Sequence, residues 1–311
     1  MILTRQLTKV YPGGVRAVDA LDLSVSGGEI FGLLGPNGAG KTTTAGMLTT
    51  RVRPTEGMAS VAGVDVWKHP AAAKRVIGVV PQSNTLDRSL SARDNLVFHG
   101  RFFGMTAKSA RVHADEMLEM FRLTEQAASD VMALSGGMAQ RLMVARAVMH
   151  DPHVLFLDEP SAGLDPQSRI ALWEVLRDLH SSGQTILLTT HYMEEADELC
   201  DRVAIIDQGK VISIGAPAEL KQTLGGDTVV TVQADGDIEQ LRAKLCTSVP
   251  GAVDATTLED RVMLTVSGRS GLLPEVMRVA ADGGHDVVDL GIHETTLEDV
   301  FIELTGRELR D

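Results

Sequence analysis

The 311 residues contain only two cysteines, Cys200 and Cys246, and neither sits in a metal-ligand spacing. That excludes a disulfide framework and a cysteine-ligated zinc site, and points to free, mostly buried thiols in the cytosol. Runs of positive charge are also missing. Acidic residues outnumber basic ones to give a formal net charge of −13, with Lys and Arg scattered along the chain. A nucleic-acid partner is therefore not expected, because phosphate binding needs a cationic footprint. No apolar stretch approaches the roughly eighteen residues that a membrane-spanning helix needs. Met1-Ile2-Leu3-Thr4-Arg5 leads straight into strand-like sequence without the charged and apolar regions of a secretory signal. Any membrane role is expected to run through a partner. What remains, 44% hydrophobic and 23% charged residues, is ordinary globular composition, and the length suggests two domains.

The most informative stretch is Gly35-Pro36-Asn37-Gly38-Ala39-Gly40-Lys41-Thr42, which follows the apolar run Ile30 to Leu34 and precedes a helix-like segment. The pattern G-x-x-x-x-G-K-T is a phosphate cradle. Its glycines let backbone N–H groups turn inward to an anion where a Cβ would obstruct them. Lys41 supplies a compact positive charge for the β- and γ-phosphates, and the Thr42 hydroxyl is a hard oxygen ligand of the kind Mg²⁺ demands. The helix opening at about Gly40 adds its positive end. A nucleoside triphosphate is expected here.

Around the cradle the chain alternates strand and helix. Residues 2 to 25 read as antiparallel strands, with Leu21, Leu23 and Val25 alternating with polar residues. Tyr11 precedes the turn Pro12-Gly13-Gly14 and is either a base-stacking ring or a rim tyrosine. Short apolar runs at Ile77–Val80, Val154–Leu157 and Thr185–Thr190 read as buried parallel strands, and Gln82, Asp158-Glu159 and His191 stand at their carboxyl ends. Open α/β sheets bind ligands there. Adjacent carboxylates are costly unless they meet a cation or a reacting water, so Asp158 suits Mg²⁺ and Glu159 suits a base for the attacking water. His191, by its position, is a candidate γ-phosphate sensor. Val203 to Gly215 reads as a hairpin with a Gln208-Gly209 turn.

Residues 86 to 133 have helix-forming composition with little strand signal, an all-helical insertion in which Phe98, Phe102 and Phe103 are assigned mainly to core packing and alternatively to a docking surface. Leu134-Ser135-Gly136-Gly137-Met138-Ala139-Gln140-Arg141 then opens a helix running to about His150. Ser135 is its expected N-cap, and the glycines leave the helix-start N–H groups bare as a second anion site.

Taken in order, these segments resemble the ATP-binding subunit of ABC transporters over residues 1 to about 224. Tyr11, the Walker A cradle, the Q-loop Gln82, the signature Leu134 to Gln140, Walker B Val154 to Asp158 with Glu159, the D-loop Ser161 to Asp165 and the switch His191 follow in sequence. The resemblance implies a P-loop NTPase of α/β class with an antiparallel β subdomain and a helical insertion at about 86–150. It implies ATP and Mg²⁺, with Gly35 to Thr43 and Tyr11 on the nucleotide, Thr42, Gln82 and Asp158 on the metal, and Lys41, Gln82, Glu159 and His191 in hydrolysis. It also implies a head-to-tail homodimer, in which Ser135, Gly136 and Gly137 of one chain complete the ATP site on Lys41 of the other. The common signature has Gln where this chain has Met138.

Residues 225 to 311 read as β-α-β-β-α-β, a ferredoxin-like accessory domain: strand Asp227–Gln233, helix Asp237–Leu245, strands Val253–Leu258 and Arg261–Val266, helix Gly271–Ala281 and strand Asp286–Leu290. A last helix is expected to open on a Thr295/Glu298 capping box, carry an apolar stripe of Leu297, Val300, Phe301 and Leu304, and stop at Gly306. That ending is similar to the daunorubicin-resistance type of ABC-2 exporter ATPase. It implies a separate ABC-2 type permease partner and a peripheral place on the cytoplasmic face of the membrane. A soluble mechanical ABC ATPase and an importer ATPase with a regulatory tail are the alternatives.

Overall fold

The computed structural model describes residues 1–226, 228–258, 260–268 and 271–306, so the expected strand start at Asp227 lies outside the described residues. The chain divides into two compact units, Met1–Val211 and Ile212–Asp311, the second beginning ahead of the expected 224/225 boundary.

In chain order the first unit holds β1 (Ile2–Val10), β2 (Arg16–Val25), β3 (Ile30–Leu34), α1 (Lys41–Leu48), β4 (Glu56–Val61), β5 (Val64–Asp65), α2 (Pro70–Val76) and β6 (Ile77–Val80). It continues with α3 (Ala92–Phe102), α4 (Ala107–Met120), α5 (Gly136–Val148), β7 (Val154–Asp158), α6 (Pro166–Ser181), β8 (Thr185–Thr190), α7 (Met193–Leu199) and β9 (Arg202–Asp207), and β10 (Lys210–Gly215) runs across the boundary at Val211. One antiparallel sheet has the order β2-β1-β4-β5, and a six-stranded sheet has the order β10-β9-β3-β8-β7-β6. In the larger sheet β3, β6, β7, β8 and β9 pair in parallel.

Every residue of β3, β7 and β8 is buried, as expected of parallel strands covered on both faces. Their parallel registers set Leu34 beside Thr190, Asp158 beside Thr189 and Val80 beside Leu157. The segments that leave these strands, from Gly35, Gln82, Glu159 and His191, therefore emerge along one edge of the sheet. The two sheets share a core that includes Leu7, Leu23, Phe31, Met47, Phe156 and Leu187.

The insertion is helical. Ser91 caps α3 by accepting from Asp94 N–H, and Thr106 caps α4 by accepting from Ser109 N–H. The core-packing expectation for its phenylalanines fails at two of three positions. The buried stripe of α3 is Ala92, Asn95, Leu96 and Gly100, so Phe98 and Phe102 face outward, 66% and 79% exposed. Phe103 instead stacks on His150 with ring centroids 3.8 Å apart.

The second unit contains α8 (Pro217–Gln222), β11 (Thr228–Ala234), α9 (Ile238–Ser248), β12 (Ala252–Leu258), β13 (Arg261–Val266), α10 (Leu272–Asp282), β14 (Val287–Glu294) and α11 (Leu297–Thr305). Its antiparallel sheet has the order β12-β13-β11-β14, the ferredoxin-like arrangement. Helices α9 and α10 cover one face through Leu241, Leu245, Val276 and Val279. Ile302 of α11 packs with Val229 and Met263 on the other. The capping box falls one residue later than its sequence signature. Thr296 accepts from Asp299 N–H while Asp299 accepts from Thr296 N–H, because the Thr295 hydroxyl donates instead to Gly226 O. Leu304 is exposed, and Ile302 takes its expected place in the buried stripe. Gly306 ends the helix at φ 69°.

Candidate functional site

The cradle is built where β3 turns into α1, and two of its glycines are sterically required. A Cβ at Gly35 would lie 2.1 Å from Ile206 O, and one at Gly40, whose φ is +105°, would lie 2.4 Å from Ala17 O. Gly38 also has positive φ, but a Cβ there would face open space, so its requirement is conformational. Gly40 caps α1 without a side-chain acceptor, so the first N–H groups of the helix remain available.

Lys41 is buried. Its ammonium donates to Gly35 O at 2.7 Å and Pro36 O at 3.1 Å, and lies 3.5 Å from the Glu159 carboxylate. Burial pushes its pKa down, and the charge of Glu159 works against that shift. A desolvated ammonium held by neutral carbonyls and one carboxylate gains from an incoming polyanion.

Asp158, at the end of β7, is also buried. Its Oδ1 accepts from the Thr189 hydroxyl at 2.6 Å and the Thr42 hydroxyl at 3.1 Å. Among the described residues no cation forms an ion pair with it. A buried carboxylate served only by hydroxyls, one of them at the cradle, suits a hard divalent ion that keeps most of its own water.

Glu159 is the strained residue of the site, with φ +50°. Its N–H is held by both Thr189 O at 3.0 Å and the Thr189 hydroxyl at 3.1 Å. Left-handed backbone in a non-glycine residue persists only where its surroundings fix it. Here the strain turns the carboxylate toward Gln82, whose Nε2 donates to it at 3.1 Å. His191 Nδ1 is 3.4 Å from the same oxygen, close enough for an ion pair but without hydrogen-bond geometry, so that nitrogen is buried without a partner.

Tyr11 flanks the cradle helix. Its hydroxyl lies 3.4 Å from that of Thr43, and Lys9 Nζ sits 5.0 Å from the ring centroid. The ring is exposed, as a stacking platform needs.

The signature segment is placed differently. Ser135 caps α5 by accepting from Met138 N–H at 3.2 Å, and a Cβ at Gly137 would lie 2.4 Å from Ser168 Oγ. Ser135 and Gly136 are exposed. Among the described residues no hydrogen bond or ion pair joins Ser135–Gly137 to the cradle. One chain thus gathers Lys41, Thr42, Gln82, Asp158, Glu159 and His191, and leaves Ser135, Gly136 and Gly137 out. Sequence reasoning missed Thr189, which positions both carboxylates. Its signal was a pair of threonines, Thr189 and Thr190, closing the strand after the aliphatic run Ile186 to Leu188.

Residues 18–162 match the family described as ABC transporter, and residues 215–305 match the C-terminal domain of DrrA1-3-like ATP-binding proteins. The daunorubicin resistance ATP-binding protein DrrA2 of Streptomyces coeruleorubidus is 43% identical over 295 residues, covering 94% of this chain and 92% of that protein. The chain belongs to the ABC transporter ATP-binding family. The Nod factor export ATP-binding protein I of Cupriavidus metallidurans is 43% identical over 307 residues, covering 99% of this chain and 98% of its own length. A solved dimeric ATP-binding cassette in a post-hydrolysis state, bound to ADP and Pi, aligns with TM-score 0.64 and 27% identity. That alignment covers 70% of this chain and 98% of the solved one. As an ABC ATPase subunit with a DrrA-like accessory domain, the chain binds and hydrolyses ATP. No helix among the described residues is long and apolar enough to cross a membrane.

Proposed function

We propose that this ABC ATPase drives export through a separate ABC-2 type permease, as a head-to-tail homodimer docked on the cytoplasmic face of the membrane. The observation that carries the reading is the gathering of Gln82, Lys41 and the strained Glu159 around one cradle, in a chain collinear with resistance and export ATPases along its length. A chain with one cradle and one signature segment, exposed at Ser135 and Gly136, supports the sharing of each ATP between two copies.

Lys41 exchanges its carbonyl contacts for the β- and γ-phosphates and neutralises charge that develops during transfer. Thr42 and Asp158, with Gln82, would hold Mg²⁺, which would supply charge neutralisation for the phosphates. Glu159 takes a proton from the attacking water, and His191 reports on the γ-phosphate beside it. Ser135 and Gly137 of the second copy contribute helix-start N–H groups to the same phosphate.

The permease side is read from the insertion. Phe98 and Phe102 stand exposed on α3, and Phe102 lines a cavity of about 880 Å³ together with Arg51, Lys74, Arg75, Phe103 and Arg146. An exposed aromatic pair beside a basic cavity supports docking of a cytoplasmic permease loop.

The direct test is to purify tagged Glu159→Gln from native membranes with ATP and Mg²⁺. A polytopic membrane protein at about one per chain is the expected companion for a symmetric assembly. Recovery of soluble proteins or nucleic acid alone would overturn the transport reading.

A further inference from the structure

The last strand of the accessory unit carries features that folding of its own chain does not explain. β14 pairs only with β11, so among the described residues it forms a free edge of the four-stranded sheet. Residues 289 to 294 pair with β11 in unbroken register, and the irregularity falls beyond them, between the Gln233–Asp289 and Ala234–Val287 pairs. Neither proline nor lysine interrupts the strand, although these are common guards against edge-to-edge pairing.

Gly291 lies in the middle of this regular stretch. Its φ is not positive, and an added Cβ would meet only Thr231 Cβ at 4.0 Å, an ordinary contact. Glycine inside a strand weakens it, and where the fold has no need of one it marks close approach by another backbone or a ligand. Ile292 beside it is 39% exposed.

The sequence around Gly291 complements itself. In an antiparallel pair, outward-pointing N–H and C=O groups occur at every second residue, so a two-fold pairing is centred on a residue and not between two. Centring on Gly291 sets Asp289 opposite His293 at both ends and Leu290 opposite Ile292 between them. Centres at Asp289, Leu290 or Ile292 bring no acid opposite a base. Asp289 and His293 share the sheet face that carries α11, where the His293 Nε2 pairs with Asp299 at 3.0 Å.

We propose that β14 of the accessory unit pairs antiparallel with β14 of a second copy, with Gly291 on the two-fold axis, and that the two four-stranded sheets become one eight-stranded sheet. A carboxylate and an imidazole, and two apolar residues, then meet as cross-strand pairs, with Gly291 opposite its own copy. This association requires no nucleotide, so it stands or falls separately from the ATP-linked dimer.

Disulfide mapping of the full chain, free of nucleotide and in a Cys246→Ser background, tests the register. Opposed residues of an antiparallel pair have Cα atoms about 4.5–5.5 Å apart, within disulfide reach. Under mild copper-phenanthroline oxidation, Gly291→Cys gives a covalent dimer. Asp289→Cys alone gives no more than Thr247→Cys, an exposed position on α9, whereas a mixture of Asp289→Cys and His293→Cys gives mixed dimers. In sedimentation the unmodified chain runs as a dimer, and Ile292→Lys runs as a monomer with an unchanged circular dichroism spectrum. A monomeric unmodified chain, or Gly291→Cys cross-linking no faster than Thr247→Cys, would overturn the proposal.

Discussion

Gln82 donates to the carboxylate of Glu159 at 3.1 Å across 77 residues of chain, and so ties the loop after β6 to the carboxyl end of β7. The same carboxylate lies 3.5 Å from Lys41. Gln82, Glu159 and Lys41 are thus linked through one carboxylate. On the proposed role of Glu159 as the base for the attacking water, Glu159→Gln keeps the side-chain shape and removes the base. ATP binding is expected to persist while turnover falls by roughly 10²- to 10⁴-fold. Steady-state hydrolysis beside equilibrium nucleotide binding checks both halves.

Thr189 donates its hydroxyl to the Asp158 carboxylate and accepts the Glu159 backbone N–H at both its hydroxyl and its carbonyl oxygen. Thr189→Val keeps the β-branched shape and removes the hydroxyl. Loss of a group that orients metal ligands typically costs about 10- to 100-fold in metal affinity or activity. The expected signature is a higher Mg²⁺ requirement with little change in ATP affinity, read from Mg²⁺ titrations of ATPase rate.

His99 packs against Phe103 and His150, and its Nε2 is buried without a hydrogen-bond partner. Burial first, then the charges of His150 and Arg146, lower its pKa from 6.5 to about 4. The unfolded chain thus takes up this proton at higher pH than the folded one. The stability contribution is whole above pH 6.5 and is lost as pH falls toward 4. Between pH 7 and 5 wild type is expected to lose roughly 1–2 kcal/mol, after allowance for partial exposure. His99→Gln should remove most of that slope in urea unfolding curves at the two pH values.

Two neighbouring threonines separate the real helix cap from the expected one. Thr296→Ala removes the acceptor for Asp299 N–H and should cost about 1 kcal/mol. Thr295→Ala removes only a hydroxyl that donates to Gly226 O, so its effect should be smaller. Thermal unfolding of the accessory unit within the full chain ranks the two.

Much of this architecture was legible because its signals are local. The cradle pattern, the aliphatic strands ending in Gln82, Glu159 and His191, and the N-cap at Ser135 each arise within a few residues, and the structure places them accordingly. The errors fall where tertiary packing decides. Phe98 and Phe102 are expected in the core because phenylalanine is usually buried, but α3 turns Ala92, Asn95, Leu96 and Gly100 inward instead. The cap moved from Thr295 to Thr296 because Gly226, far away in sequence, engages the first hydroxyl. Thr189 stayed unseen because its work depends on two neighbouring strands lying in register, which a single sequence does not display.

The central claim is that each ATP is shared between two chains, and mixing two inactive variants tests it most directly. Lys41→Ala disables the cradle and Ser135→Arg blocks the signature, so neither homodimer retains a complete site. Each mixed dimer keeps one, formed by Lys41 of the Ser135→Arg chain and Ser135 of the Lys41→Ala chain. A one-to-one mixture is expected to recover roughly a quarter of wild-type ATPase activity if chains pair at random and sites act independently. Activity no greater than the mean of the two variants measured separately would contradict the shared site.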